Sequence, residues 1–135
     1  LADRGAKEIR VLNRTHGRAL DLAADLGDPV VALPWEARGE ALADAATLVN
    51  TTSLGMEGQP ELAMDLTRLR AGALVSDIVY IPRETRLLAA ARARGNRTVN
   101  GLGMLIHQAR PAFRDWFGVM PQATPALRAM IEATL

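Results

Sequence analysis

Short runs rich in Val, Ile and Leu alternate with segments of helical spacing along most of the chain, and no other feature restricts the fold as much. Glu8 to Leu12 carries Ile9, Val11 and Leu12 and reads as a strand. Thr15 to Leu26 places Ala19, Leu22, Ala23 and Leu26 at helical intervals and stops at Gly27. A second strand follows at Val30–Leu33, then a short helix over Trp35–Ala43 begun after Pro34. Thr47–Thr51 reads as a third strand, and a polar loop with Gly55, Gly58 and Pro60 comes after it. Leu74–Val79 is the fourth strand, Thr85–Arg94 a helix closed by Gly95, and Thr98–Asn100 a short fifth strand. Helices over Met104–Phe117 and Thr124–Leu135 close the chain. Strands separated by helical crossovers predict an α/β fold, a parallel sheet with helices on both faces. Ligands of such sheets collect at the carboxyl ends of the strands.

Composition narrows the function classes. The 135 residues fit one domain with a core of its own, and 49% hydrophobic with 23% charged residues is ordinary for a soluble globular chain. A net charge of +1 and an aromatic content of 4% argue against nucleic-acid binding through a basic groove or stacking. No apolar run approaches the ~18 residues of a membrane span, and no signal peptide is visible. The absence of cysteine excludes disulfides and suits a reducing cytoplasm. His16 and His107 are far apart, without acidic partners at metal-ligand spacing, so no metal is expected. Residue 1 is Leu, and Leu1 to Lys7 reads as the last turn of a helix stopped by Gly5. The sequence thus reads as a piece of a longer protein, entered in mid-helix.

Four strand ends carry the candidate chemistry. After the first comes Asn13-Arg14-Thr15-His16-Gly17-Arg18. Dinucleotide-binding folds usually place an acidic residue there for the adenosine ribose, and Asn13 stands in its stead with Arg14 and Arg18 beside it. An acid would repel a ribose 2′-phosphate, whereas arginine pairs with it. One or two charge-assisted bonds of roughly 1.5–3 kcal/mol each would favour NADP over NAD by about ten- to ten-thousandfold. Thr15 is placed to cap the helix and to donate to the phosphate. The plainer reading is a capped helix with two solvated arginines, and His16 reads as a surface residue. After the third strand, Thr52 and Ser53 are small enough to let backbone approach a flat ligand, and Gly55 permits a turn. Tyr80, the single tyrosine, follows the fourth strand, where its phenol meets a substrate or its ring packs under Pro82. The last segment, Val99 to Ala109, passes through Gly101 and Gly103 into a helix on which Gln108 shares a face with Met104 and Leu105. Gln108 is either a ligand-reading group or a buried amide satisfied by backbone.

These segments together resemble the carboxy-terminal NADP-binding domain of the shikimate dehydrogenase family. The family's Asn-Arg-Thr-x-x-Arg is matched by Asn13, Arg14, Thr15 and Arg18, and its Asn-(Ala/Thr)-(Thr/Ser)-x-x-Gly-Met by Asn50 to Met56. Asp77, Tyr80, Pro82, Thr85, Leu87 and Leu88 match Asp-x-x-Tyr-x-Pro-x-x-Thr-x-Leu-Leu. Gly101, Gly103, Met104, Leu105, Gln108 and Ala109 match Gly-x-Gly-Met-Leu-x-x-Gln-Ala, which separates this family from the glutamyl-tRNA reductases that share the Asn-Arg-Thr element. The order is kept from about Gly5 to Pro121. Two departures stand out: Asn100 where the family often has Asp, and Arg86 where it often has Pro.

The resemblance implies a Rossmann-like fold and NADP as cofactor. It assigns Asn13, Arg14, Thr15 and Arg18 to the adenosine 2′-phosphate and Thr52 and Ser53 to the cofactor path. It assigns the backbone of Ile78, Gly101 and Met104 to the nicotinamide, and Tyr80 and Gln108 to shikimate or 3-dehydroshikimate. It implies NADPH-dependent reduction of 3-dehydroshikimate in aromatic amino-acid (chorismate) biosynthesis, and leaves a homodimer open. The family's first strand, its glycine-rich loop and an amino-terminal domain with a catalytic Lys–Asp pair have no counterpart here, so this piece alone is expected to be inactive. Two alternatives remain, a quinate- or NAD-using paralogue and a non-catalytic nucleotide-binding module. With the first strand gone, the runs at Glu8–Leu12 and Thr47–Thr51 are left either with open edges or paired directly.

Overall fold

The computed structural model describes residues 1–135. Five short strands, β1 (Ile9–Leu12), β2 (Val30–Leu33), β3 (Thr47–Asn50), β4 (Leu74–Asp77) and β5 (Arg97–Val99), form where β-branched and Leu runs occur. They are interleaved with α1 (His16–Leu26) and α2 (Arg86–Ala93), and α3 (Leu102–Phe117) and α4 (Pro125–Glu132) end the chain. All pairing is parallel. The expected single sheet is instead two, β1–β2 and β3–β4–β5. No ladder joins β1 to β3, so the direct pairing held open above is not formed. The expected order has a further strand between these two, and none of the 135 residues supplies it. The chain accordingly divides into two compact units, Leu1–Ala45 with Met64–Arg70 and Ala46–Ala63 with Ala71–Leu135.

In the first unit, β1 and β2 run in register from Ile9 opposite Val30 to Leu12 opposite Leu33. α1 packs on both strands, and its small Ala19 is fully buried, which lets the helix approach closely. Arg10 on β1 donates to Ala41 O at 2.9 Å and to Ala43 O at 2.8 Å, and its Nε pairs with Glu8. The helix expected over Trp35–Ala43 is replaced by two 3-10 turns, Trp35–Arg38 and Glu40–Leu42, with Gly39 between them. So short a segment gains little from helix propagation. The expected end of a helix at Leu1–Lys7 is one 3-10 turn, Ala2–Arg4, with Gly5 left-handed at φ 81°.

In the second unit, β3 and β4 pair from Thr47–Leu74 to a last rung at Asn50–Asp77, and β5 lies on the far side of β4. Val75, Leu87, Leu88 and Ala91 are buried where α2 packs on β4 and β5. Thr85 caps α2 by accepting from Leu88 N at 3.3 Å. The amide of Asn96, just before β5, donates to Ala71 O and Ala73 O and so ties that turn to the entry of β4. Several elements are shorter than their apolar runs. Thr51 leaves the β3 ladder, and Ile78 and Val79 leave β4, so the residues of interest sit on loops beyond the last rung. α3 begins two residues earlier than expected, at Leu102, with Gly101 as its N-cap residue.

Leu88, 2% exposed, supports α2 on the sheet, whereas Leu20 on α1 is 51% exposed. Leu88→Ala is expected to lower unfolding free energy by about 2–5 kcal/mol. Leu20→Ala should change it by no more than about 0.5 kcal/mol. Urea denaturation of the two variants checks this.

Candidate functional site

The last rung of the β3–β4 ladder carries two buried polar side chains, Asn50 and Asp77, 4% and 1% exposed. Asn50 Nδ2 donates to Asp77 Oδ1 at 3.0 Å and to Leu54 O at 3.1 Å. Its Oδ1 accepts from Thr52 N at 3.0 Å and from Thr52 Oγ1 at 2.8 Å. Asp77 Oδ1 also accepts from Val79 N at 3.0 Å, and Oδ2 accepts from Thr85 Oγ1 at 2.7 Å. Buried polar groups are tolerated when fully bonded, and this pair uses its capacity on the two loops that follow the strands.

Those loops border an open cavity of about 620 Å³. Thr52, Ser53, Ile78, Tyr80 and Met104, five of the residues singled out from the sequence, line it together. Its character is mixed: Ile78, Val79, Ile81 and Met104 offer apolar surface, and the half-buried Tyr80 and the exposed Ser53 and Glu57 offer polar groups. The Thr52 hydroxyl is committed inward, donating to Asn50 and accepting from Leu54 N at 3.1 Å, so Thr52 contributes shape rather than a free donor. Gly101 does not line the cavity but sets one of its walls. A Cβ there would stand 1.8 Å from Ile78 O and 2.4 Å from Ile78 C, and Gly101 N donates to Val79 O at 3.0 Å. Its φ of −72° suits any residue, so glycine is required by the close approach of two backbones.

Gln108 corrects one of its two readings. It is exposed, it is not a buried amide satisfied by backbone, and it lies outside the cavity lining, with Met104 four residues before it also exposed. Asn100, the departure from the family's Asp, donates from Nδ2 to Arg83 O at 3.0 Å, a bond that a carboxylate cannot make. Its Oδ1 accepts from Leu102 N at 3.3 Å at the start of α3. A second hollow of about 640 Å³, bordered by Glu57, Glu61, Arg83 and Glu132, contains none of the expected residues.

The other expected cluster belongs to the first unit. Asn13 Oδ1 accepts from Thr15 N at 2.9 Å, a side-chain turn that leads the chain from β1 into α1. Thr15 is the N-cap residue by position, but its side chain makes no capping bond, because Asn13 holds the turn instead. Arg14 and Arg18 are exposed and form no ion pair, and no acid lies in the first turn of α1. His16 is half-buried rather than a surface residue, and its Nδ1 is enclosed without a partner. Free guanidinium groups beside the positive end of a helix make an anion-attracting surface.

Asn50, Asp77 and Thr85 entered the sequence argument only as motif letters, without a role. The available signal was a polar residue closing each of two apolar strand runs.

The profile of the Shikimate 5'-dehydrogenase C-terminal domain matches residues 101–131, the stretch that begins at the Gly101 contact and runs through α3 into α4. Over 131 residues the chain is 55% identical to the shikimate dehydrogenase (NADP(+)) of Paramagnetospirillum magneticum, covering 97% of this chain and 48% of that protein. The chain belongs to the shikimate dehydrogenase family. It spans about half the length of the relatives it matches. Its α/β, Rossmann-like architecture is shared with quinate dehydrogenase from Corynebacterium glutamicum in complex with NAD, at a TM-score of 0.85 and 34% identity over 98% of this chain and 48% of that one. Shikimate 5-dehydrogenase from Thermus thermophilus in complex with NADP(H) and shikimate gives a TM-score of 0.75 and 36% identity, covering 90% of this chain and 44% of that one. In this shikimate dehydrogenase family member, Gly101 is the first residue of the matched region and Ile78 lies outside it, and the geometry alone already demands the glycine.

Gly101→Ala is therefore expected to cost about 1–3 kcal/mol through forced backbone displacement. Gly103→Ala, whose added carbon meets nothing nearer than 3.9 Å, should raise stability by up to about 1 kcal/mol. Chemical denaturation of the two single variants gives opposite signs if the contact is as described.

Proposed function

We propose that this chain is the NADP-binding part of a shikimate dehydrogenase, acting in the intact protein on shikimate and 3-dehydroshikimate. The observation that carries the proposal is the convergence of Thr52, Ser53, Ile78, Tyr80 and Met104 on one cavity at the carboxyl ends of β3 and β4. Relatives at 54–55% identity are named for shikimate and NADP(+), which supports both substrate and cofactor.

The residues fit the cofactor. Arg14 and Arg18, unpaired within the protein, would hold a ribose 2′-phosphate, with Asn13 and Thr15 shaping the turn beneath it. Ile78 and Met104, with Gly101 packed behind Ile78, offer a largely apolar wall that would hold a nicotinamide ring. A dinucleotide held there would supply hydride to the carbonyl carbon of 3-dehydroshikimate or accept it from the carbinol carbon of shikimate. Tyr80 offers a phenol to the substrate from the cavity wall, and the exposed amide of Gln108 stands on the same helix as Met104. The proton exchanged at the substrate oxygen is assigned to the Lys–Asp pair of an amino-terminal domain, so this chain binds and orients. The intact enzyme belongs to aromatic amino-acid biosynthesis in the cytoplasm; no helix of this chain is long and apolar enough to cross a membrane.

One observation favours a second reading, quinate oxidation with NAD, because the structure with a TM-score of 0.85 is a quinate dehydrogenase in complex with NAD. Arg14 and Arg18 weigh against it, since a 2′-hydroxyl gives them no charge to pair with. Initial rates of the full-length enzyme with shikimate or quinate, and NADP or NAD, decide between the two. Shikimate with NADP should be the fastest pair, and Arg14→Ala combined with Arg18→Ala should cut the preference for NADP by about ten- to ten-thousandfold. The isolated 135 residues should show no turnover with any pair.

A further inference from the structure

The most enclosed carboxylate of the molecule, Asp77, has no part in the reaction proposed above and does not line the cavity. Neither do Asn50 and Thr85. Yet the bonds of this cluster end on three different segments. Through Asn50 it fixes Thr52 and Leu54, on the loop after β3. Through Asp77 Oδ1 it fixes Val79, on the loop after β4. Through Asp77 Oδ2 it fixes Thr85, which caps α2 and whose Cβ and Cγ2 lie 3.5 Å from where a Cβ on Gly55 would stand. Thr52 and Val79 both line the cavity, on facing loops. A buried charge contributes little to stability beyond what apolar residues of the same volume would give. What this one does is hold two loops at a fixed separation.

We propose that Asp77, with Asn50 and Thr85, is a positioning group that sets the width of the cavity and hence its affinity for cofactor and substrate. Thr85 is the handle for a test, because it lies outside the cavity and its hydroxyl donates to Asp77, while the same oxygen caps α2 and its methyl packs near Gly55. Thr85→Val removes the donor to Asp77 at nearly constant volume, and Thr85→Ser keeps it. Asp77→Asn is a milder second variant of the same shape, which preserves the acceptor for Asn50 and Val79 and reverses the link to Thr85.

Two measurements read the outcome. In the full-length protein with methyl-labelled methionine, Thr85→Val should shift the Met56 and Met104 resonances, which report on the cavity, and leave Met130 in place. Thr85→Ser should return both. In the full-length enzyme Thr85→Val should raise KM for NADP and for shikimate about three- to tenfold, the worth of roughly one hydrogen bond, with kcat changed less than about twofold. The kinetic measurement rests on the shikimate dehydrogenase reading, and the spectroscopic one does not. A wild-type enzyme inactive on shikimate would sink that reading and leave the methyl shifts to decide this proposal. Folded Thr85→Val and Asp77→Asn variants with unmoved Met56 and Met104 methyls would overturn it. So would an unchanged KM in an active enzyme whose thermal midpoint alone has fallen.

Discussion

A carboxylate buried at the last rung of a parallel ladder governs how the second unit is built. Asp77 accepts from Asn50 on the neighbouring strand, from the backbone of Val79 beyond its own strand, and from the cap residue of α2. Left unbonded at 1% exposure, such a group would cost several kcal/mol. The strand ends, the loop after β4 and the helix start are therefore tied to one another through this side chain. The apparent shortening of β4 follows from this. Val79 N is taken by the Asp77 side chain, and the chain turns away from the ladder where the sequence alone still reads as strand.

The same economy recurs at the other strand end. Asn13 folds back on Thr15 N as Asn50 folds back on Thr52 N, and in both places an Asn side chain closes the turn after a strand. At β1 the turn leaves two guanidinium groups free for an anion. At β3 it turns a hydroxyl inward and leaves a smooth wall. One local device thus closes a turn beside a charged surface in the first unit and beside an apolar wall in the second.

Element type and order were legible from periodicity, because the apolar runs and their glycine stops are local signals. Boundaries were less so, and the reason is visible at Asp77 and Asn13. Each is a side chain that captures a backbone group 2 residues away and so ends or replaces regular structure. The expected Thr15 cap is replaced by such a capture at Asn13. The division into two sheets was foreseeable from the strand order once the family was recognised, but not from periodicity. Of the site, the lining residues were readable as small or aromatic residues after strands. The buried network was not, because polar residues at the end of an apolar run look the same whether they face water or each other.

The contact between Gly101 and Ile78 has a bearing on how such a cavity changes over time. Two main chains touch there, so their spacing is set by atoms that every substitution elsewhere leaves in place. Side chains on the cavity rim, Tyr80 and Met104 among them, can then be exchanged without moving the surface they stand on. A family built this way can drift toward new substrates by altering its furnishings while the floor stays level.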